Sequence, residues 1–398
     1  MTVAGPSGST APAARPPSPP LALIFSITVT GILANTLITP VVPDILADFG
    51  VGTGQAGVLV AAGTVPGIVM APVIGLLADR HGRREVLVPC LVAFGVFGVA
   101  SAFAPSFEVL LGLRLLQGVG SAGLINLAVV IIGDHWEGTE RTRLIGRNSA
   151  VLTVSLAVFP PVGGLLSEIG GWRLSFAPYA VGLVTAAVLW RRLPRVVPTD
   201  PVALRRQIGD ALVILRRREV SVTVVTGFVI FLLIFGLLLT VLPVHLEERF
   251  GLSAGMRGLV LAVPAVTSTV AALSLGRLRS RFGARALVLA ASVTFVVAFA
   301  VIGEAPVLPV LVGGALLFGF GEGMVLPTLQ DRAASAAPAT SRGAVVAVWV
   351  GAARAGQSVG PLLAGLSLAL IGSATTFVIG ALLALGLLFW QRQATPAG

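Results

Sequence analysis

No lysine occurs among the 398 residues, and only 11% of them carry charge. Cysteine occurs once, as Cys90 in an apolar run, so no intramolecular disulfide is available and the redox compartment leaves no mark. The three histidines, His81, His135 and His245, fall at predicted loops or span ends, without nucleophile–base spacing or a metal-ligand cluster. A phosphate-binding loop of the G-x-x-x-x-G-K-[ST] kind is also missing, which excludes ATP-driven work in this chain. These absences argue against an enzyme and leave no cofactor or metal to expect. What fills the space is apolar: 56% of residues are hydrophobic and the mean hydropathy is +0.97. A soluble chain of this length could not hide that much apolar surface, so its solvent is lipid. The net charge of +10 would suggest nucleic acid in a soluble protein. Here its distribution reads as membrane topology, and no nucleic-acid partner is expected.

Apolar runs long enough to cross the hydrocarbon core as helices fall near 21–42, 56–78, 86–104, 107–132, 144–166 and 174–191. They resume near 220–243, 257–276, 286–303, 307–330, 343–364 and 367–390. The fold class predicted is an all-α membrane protein of 12 transmembrane helices, and the even count puts both termini on one side. Of the 27 basic residues, all arginine, 22 lie in tails and loops on that side; the opposite loops hold Arg173, Arg249 and Arg257. The positive-inside rule makes both termini cytoplasmic in a multi-pass plasma (inner) membrane protein. Residues 1–20, rich in proline and small polar residues, read as a disordered cytoplasmic tail, and 391–398 as a second tail. Between a first set of six spans (21–191) and a second (220–390), the 192–219 linker carries Leu204, Ile208, Leu212 and Leu215 as one amphipathic stripe, read as a helix lying in the headgroup region.

Wedged between the second and third runs is a dense charge cluster, Gly75-Leu76-Leu77-Ala78-Asp79-Arg80-His81-Gly82-Arg83-Arg84. It recurs in weaker form as Gly276 through Arg285, an offset of 201 residues. The same offset relates Phe49-Gly50 to Phe250-Gly251, Gly57 to Gly258, Gly118 and Gly120 to Gly319 and Gly321, Arg141 to Arg342, Pro160 to Pro361 and Gly164 to Gly365. One register held over six spans predicts two parallel six-helix halves related by an axis along the membrane normal.

With these residues in place the chain resembles the major facilitator superfamily from about residue 21 to 390, and within it the twelve-helix drug:proton antiporter branch. Gly75 through Arg84 matches that family's loop signature between helices two and three at every key position. Leu113 through Gly120 looks like its helix-four motif. Ser155 through Gly164 resembles the antiporter motif of helix five, and Gly171-Trp172-Arg173 the usual start of helix six. The helix-five motif departs from the family pattern at Phe159, where glycine normally precedes the first proline.

The resemblance implies a cytoplasmic gate built from Gly75, Asp79, Arg80, Gly82, Arg83 and Arg84, latching the halves when the cavity opens outward. Gly75 is expected to allow close helix approach, and Asp79 to meet the positive end of helix eleven near Gly343. Ser280 replaces the acid in the second copy, so the latch should be asymmetric. Pro160, Pro161, Gly163 and Gly164 are expected to interrupt helix five, as a seal toward the outside or as plain helix packing.

Charges inside spans are costly and usually functional. Arg114, Glu322 and Arg354 are such charges, and spacing alone brings Glu322 and Arg354 to depths roughly 5 Å apart at ~1.5 Å per residue, close enough to pair. Glu322, the acid well inside a span, reads either as a proton carrier or as a fixed ion-pair partner. Arg114 matches the family's motif arginine associated with proton coupling, with outward snorkelling as the structural alternative. Asp44, beyond Pro43, is a weaker proton-coupling candidate. By resemblance, Asn35, Gln117, Asn126, Trp349 and Gln357 line the cavity, with Phe231, Phe235 and Phe318 as apolar walls. So few polar groups suit a hydrophobic or amphipathic small molecule. The expected function is therefore a monomeric, proton-coupled exporter. An importer or facilitator for a small metabolite is the alternative within transport, and a non-transporting membrane receptor the alternative outside it.

Overall fold

The computed structural model describes residues 19–194, 218–335 and 342–394. Most of the amino-terminal tail, the linker segment with its amphipathic stripe and residues 395–398 lie outside them. Every regular element described is helical, because inside hydrocarbon a backbone must satisfy its own N–H and C=O groups. The first chain half holds α1 (Leu21–Thr36), α2 (Val42–Asp48), α3 (Gln55–Ala62), α4 (Pro66–His81), α5 (Arg83–Ala100), α6 (Phe107–Ser121), α7 (Leu124–His135), α8 (Gly138–Gly170) and α9 (Val181–Arg192). The second holds α10 (Arg218–Leu233), α11 (Leu242–Phe250), α12 (Ala254–Glu304), α13 (Leu308–Ser335) and α14 (Arg342–Ala394), with a π-helical stretch Ile234–Val241 joining α10 to α11.

Ten helical stretches among the described residues are long and apolar enough to cross a membrane. Two of the helices are too long for one crossing. At ~1.5 Å per residue the 51 residues of α12 would run about 76 Å, against a hydrocarbon core of about 30 Å. Each is broken by a glycine in a backbone region closed to other L-residues: Gly283 (φ 76°, ψ 159°) in α12 and Gly372 (φ 77°, ψ 173°) in α14. Gly283 falls in the predicted charged turn. Gly372 falls inside the predicted 367–390 run, because no charged residue marks this turn on either side.

Three of the expected spans cross as single stretches whose regular α-helix is interrupted, at 37–38, at 63–65 and at 122–123. Irregular backbone at membrane depth survives where protein or a cavity covers it. Helix five departs the other way. Pro160 and Pro161 do not interrupt α8, and Pro361 does not interrupt α14; neighbouring helices compensate the lost N–H groups.

The buried apolar residues form two clusters. The larger joins both chain halves, from Leu37, Ile38 and Val41 to Leu261, Phe318 and Trp349. The smaller, from Leu23 and Ile74 to Leu144 and Leu193, draws on the first half alone.

Candidate functional site

The second helix break adjoins a buried cation. Arg114, on α6, is fully buried and donates to Gln117 Oε1 (2.6 Å) and Asn35 Oδ1 (2.8 Å). A methyl group on Gly63, at the second break, would stand 2.6 Å from the guanidinium. Tyr179 adjoins it and donates from its hydroxyl to the carbonyl of Ala34 (3.2 Å). Arg114 therefore turns inward instead of snorkelling. Its Nε and Gln117 Nε2 have no acceptor among the described residues. The motif residues Arg114 and Gln117 and the expected lining residue Asn35 are one hydrogen-bonded node. Tyr179, the single tyrosine of the chain, was the clue the sequence reading passed over.

Glu322 and Arg354 are not brought together. Glu322 lies on α13, facing α12, with the Ser268 hydroxyl beside it. A methyl group on neighbouring Gly323 would stand 2.2 Å from the Ser268 carbonyl, so the two helices leave little room there. Arg354 points the opposite way, to the first chain half: it faces Gly67 on α4 and donates to the carbonyl of Ala122 (3.4 Å) at the third helix break. Matching depths did not make a pair because the two side chains leave their helices in different directions. One turn further along α14, the Gln357 carbonyl accepts from the Thr64 hydroxyl (3.2 Å) at the second break.

The aromatic lining divides. Phe231 packs against Phe235 (6.5 Å) and edge-on to Trp349 (6.1 Å). Trp349 Nε1 has no acceptor among the described residues and abuts Gly227. Phe318 is core, not wall, stacked on Phe295 (5.0 Å) and tilted against Phe299 (5.5 Å). Asn126 is exposed and makes no hydrogen bond among the described residues.

At the arginine-rich end of the helices, ion pairs join residues of the same chain half. Arg83 holds Asp79 and Asp134, Arg84 lies over the Trp190 ring at 4.2 Å, and in the second half Arg279 meets Asp331 at 2.6 Å. Asp79 is thus spoken for by Arg83. Arg80 is exposed, Gly82 (φ 95°) turns the chain between α4 and α5, and a methyl group on Gly75 would meet nothing within 4 Å, contrary to the close approach expected there.

At the arginine-poor end close glycine contacts cross between halves in pairs offset by 201 residues, beside ion pairs that stay within one half, Arg173 with Asp48 at 2.8 Å and Arg257 with Glu247 at 3.5 Å. A methyl group on Gly57 would stand 2.1 Å from the Pro361 carbonyl oxygen, and one on Gly258 2.4 Å from that of Pro160. Gly365 packs on Gly54, and Gly164 on Ala254 and Gly255, in the same reciprocal way. Gly163 packs on the carbonyl of Leu37. Charge crosses as well: Arg257, read as a loop residue, is 1% exposed and paired with Asp44.

Two further contacts repeat inside each half. Gly118 packs on the carbonyl of Gly63 as Gly319 does on that of Pro264, and Gly120 on that of Cys90 as Gly321 does on that of Ala291. The family model described as Major Facilitator Superfamily matches residues 24–257 and 224–397. The chain is 28% identical over 358 residues to the chloramphenicol resistance protein of Streptomyces lividans, covering 88% of each. It is also 28% identical over 358 residues to the class B tetracycline resistance protein of Escherichia coli, covering 85% of each. A bacterial homologue of the human lysosomal transporter Spinster, solved in an inward-facing and occupied conformation, shares the fold with a TM-score of 0.77 at 18% identity, over 94% of this chain and 96% of that one. This multi-pass membrane chain belongs to the Major Facilitator Superfamily, a family of transporters and not of enzymes, and within it is similar to the drug:proton antiporter type.

Proposed function

We propose that the chain is a proton-coupled exporter of hydrophobic or amphipathic small molecules, working by alternating access. In this reading the glycine breaks in α12 and α14 raise the ten membrane-length helices to twelve spans. The spans form two six-helix halves, 21–191 and 220–390, and the reciprocal contacts at a 201-residue offset support their parallel relation. Both termini face the cytoplasm of the plasma membrane, on the arginine argument, and the transporter acts as a monomer. The state described is then closed to the outside, with Asp79 held by Arg83.

The observation that carries proton coupling is Glu322, a carboxylate within a span beside a hydroxyl and with no ion pair among the described residues. Ionisable side chains are costly at that depth, and where they occur they mark proton and substrate pathways. The Arg114 node and the Arg354–Ala122 contact supply polar groups on the facing half. Phe231, Phe235 and Trp349 offer the aromatic surface an amphipathic substrate would meet.

The test is reconstitution into liposomes with a lumenal pH dye and a preset proton gradient, adding lipophilic compounds to wild type and to Glu322→Gln. Discharge of the gradient by wild type only supports antiport through Glu322. Equal passage of compounds with and without a gradient in both forms would make the protein a facilitator.

A further inference from the structure

We propose that Arg354 recognises an anionic group on the transported molecule, so that the amphipathic substrate is a carboxylate or a comparable organic anion. The inference rests on the exporter reading above and narrows its substrate class. Arg354 lies well inside α14 and is half-buried. It reaches across to the first chain half, where its stem and one terminal nitrogen face Gly67 on α4. The other terminal nitrogen donates to the Ala122 carbonyl at 3.4 Å. An ordinary N–H···O bond is shorter, at about 2.7–3.2 Å.

The ion pairs among the described residues involve Arg83, Arg173, Arg257 and Arg279, and none involves Arg354. Glu322, also within a span, faces Ser268 on α12 instead. A guanidinium stays charged at any working pH, so losing a proton cannot relieve the burial. One long bond to a neutral carbonyl does little to offset what desolvating a cation costs. The missing counter-charge is accounted for if the molecule that enters between the halves carries it. A planar fork suits that role, because it grips a carboxylate with two parallel hydrogen bonds.

A second cation reinforces the sign. Gly63 and Gly67 stand about one helical turn apart. A methyl group on Gly63 would lie 2.6 Å from the Arg114 guanidinium, and one on Gly67 3.7 Å from that of Arg354. The acceptors around Arg114 are the uncharged side-chain oxygens of Gln117 and Asn35. Two guanidinium groups along one segment, with no carboxylate on either among the described residues, draw anions in and disfavour cations. The repeated framework requires neither charge. Thr153 stands 201 residues before Arg354, and Ala315 stands 201 residues after Arg114.

The experiment titrates the full chain, in lipid nanodiscs at about pH 7.5, with pyrenebutyrate, pyrenebutyramide and pyrenebutylamine. The three share an aromatic body, and at that pH the first is an anion and the last a cation. Binding is read as energy transfer from the protein's tryptophans, with protein-free discs as the blank. Wild type should bind the carboxylate roughly tenfold or more tighter than the amide, the scale of a hydrogen bond to a charged group. The amine should bind most weakly. Arg354→Gln should bind carboxylate and amide alike, and its amide binding shows that the variant is folded. Arg354→Lys should keep the order of the three with a smaller gap, because the charge remains and the fork does not. A wild type that binds all three alike, or prefers the amine, overturns the proposal, as does an Arg354→Gln variant with the wild-type gap. If Arg354→Gln binds no probe, the lysine variant decides: a retained order upholds the site and a lost order overturns it. In the liposome assay, an anion preference without gradient discharge sinks the exporter reading and leaves the site standing. Discharge by the amide and the amine but not by the carboxylate keeps the exporter and overturns the site.

Discussion

The two ends of the helix bundle differ in what crosses the chain halves, although both also hold ion pairs within one half, Arg173 with Asp48 at one end and Arg83 with Asp79 at the other. At the arginine-poor end, carbonyls, glycines and charges meet across the chain halves: Gly57 on Pro361, Gly258 on Pro160, Arg257 on Asp44. At the arginine-rich end, the ion pairs close on themselves, Arg83 with Asp79 and Asp134, Arg279 with Asp331. The apolar cores divide likewise, one cluster bridging both halves and one confined to the arginine-rich part of the first half. Under the alternating access proposed above, an element that joins the halves in one state must release them in the other, so what matters is which partner a charge holds in each. Glycine–carbonyl contacts suit such a seal, because they bring backbones together without side chains that must disentangle when the halves part.

The sharpest way to break the contrast is to put bulk into the seal. Gly57→Leu forces a side chain against a backbone oxygen that stands 2.1 Å from where its Cβ must go. The arginine-poor end should then fail to close, and transport should fall by roughly tenfold or more, the factor that ~1.4 kcal/mol represents. Uptake assays in proteoliposomes and label distances at that end would read it; normal closure would mean that the halves meet differently.

Arg114→Ala should come next, because it disables the polar node of the first half without touching either end. It strands Asn35, Gln117 and Tyr179 in the interior, at about 1–3 kcal/mol for each buried group left unpaired. Arg114→Lys should rescue little, since a point ammonium cannot bridge two acceptors as a planar fork does. Lowered Tm and lost transport are expected in both, whereas wild-type behaviour of the lysine variant would show that only charge is needed. A smaller effect on transport belongs to Gly283→Ala, which places a Cβ at φ 76° and ψ 159° for a cost of about 1–3 kcal/mol. The expected Tm loss is modest and the seal untouched, which separates backbone strain from gating.

How far the sequence reaches follows from what each signal measures. Hydropathy found the membrane runs, and the 201-residue register foresaw contacts that the structure repeats, such as Gly118 on Gly63 and Gly319 on Pro264. Helix breaks at 63–65 and 122–123 were invisible, because they occur among uncharged residues and meet Arg114, Gln357 and Arg354 from elsewhere in the chain. Spacing placed Glu322 and Arg354 at similar depths but carries no information on helix rotation, and rotation sends one toward Ser268 and the other toward Ala122. Arg257 was legible only as a positive charge near a loop. Its burial comes from Asp44, 213 positions away, a relation no local pattern records.

Gly75 offers the finest test of the comparison. Its place in the charged turn resembles a family signature that implies close packing, yet here a methyl group on it meets nothing within 4 Å. Both statements hold if the arginine-rich end comes together only in the opposite state. Gly75→Leu should then leave Tm and the closed arginine-poor end unchanged, since the state described has room for the side chain. Transport should nevertheless drop several-fold, because the population cannot reach the state in which Asp79 leaves Arg83. A variant with normal transport would mean that the two helices never approach at Gly75, and the asymmetry between the ends would belong to the fold and not to a cycle.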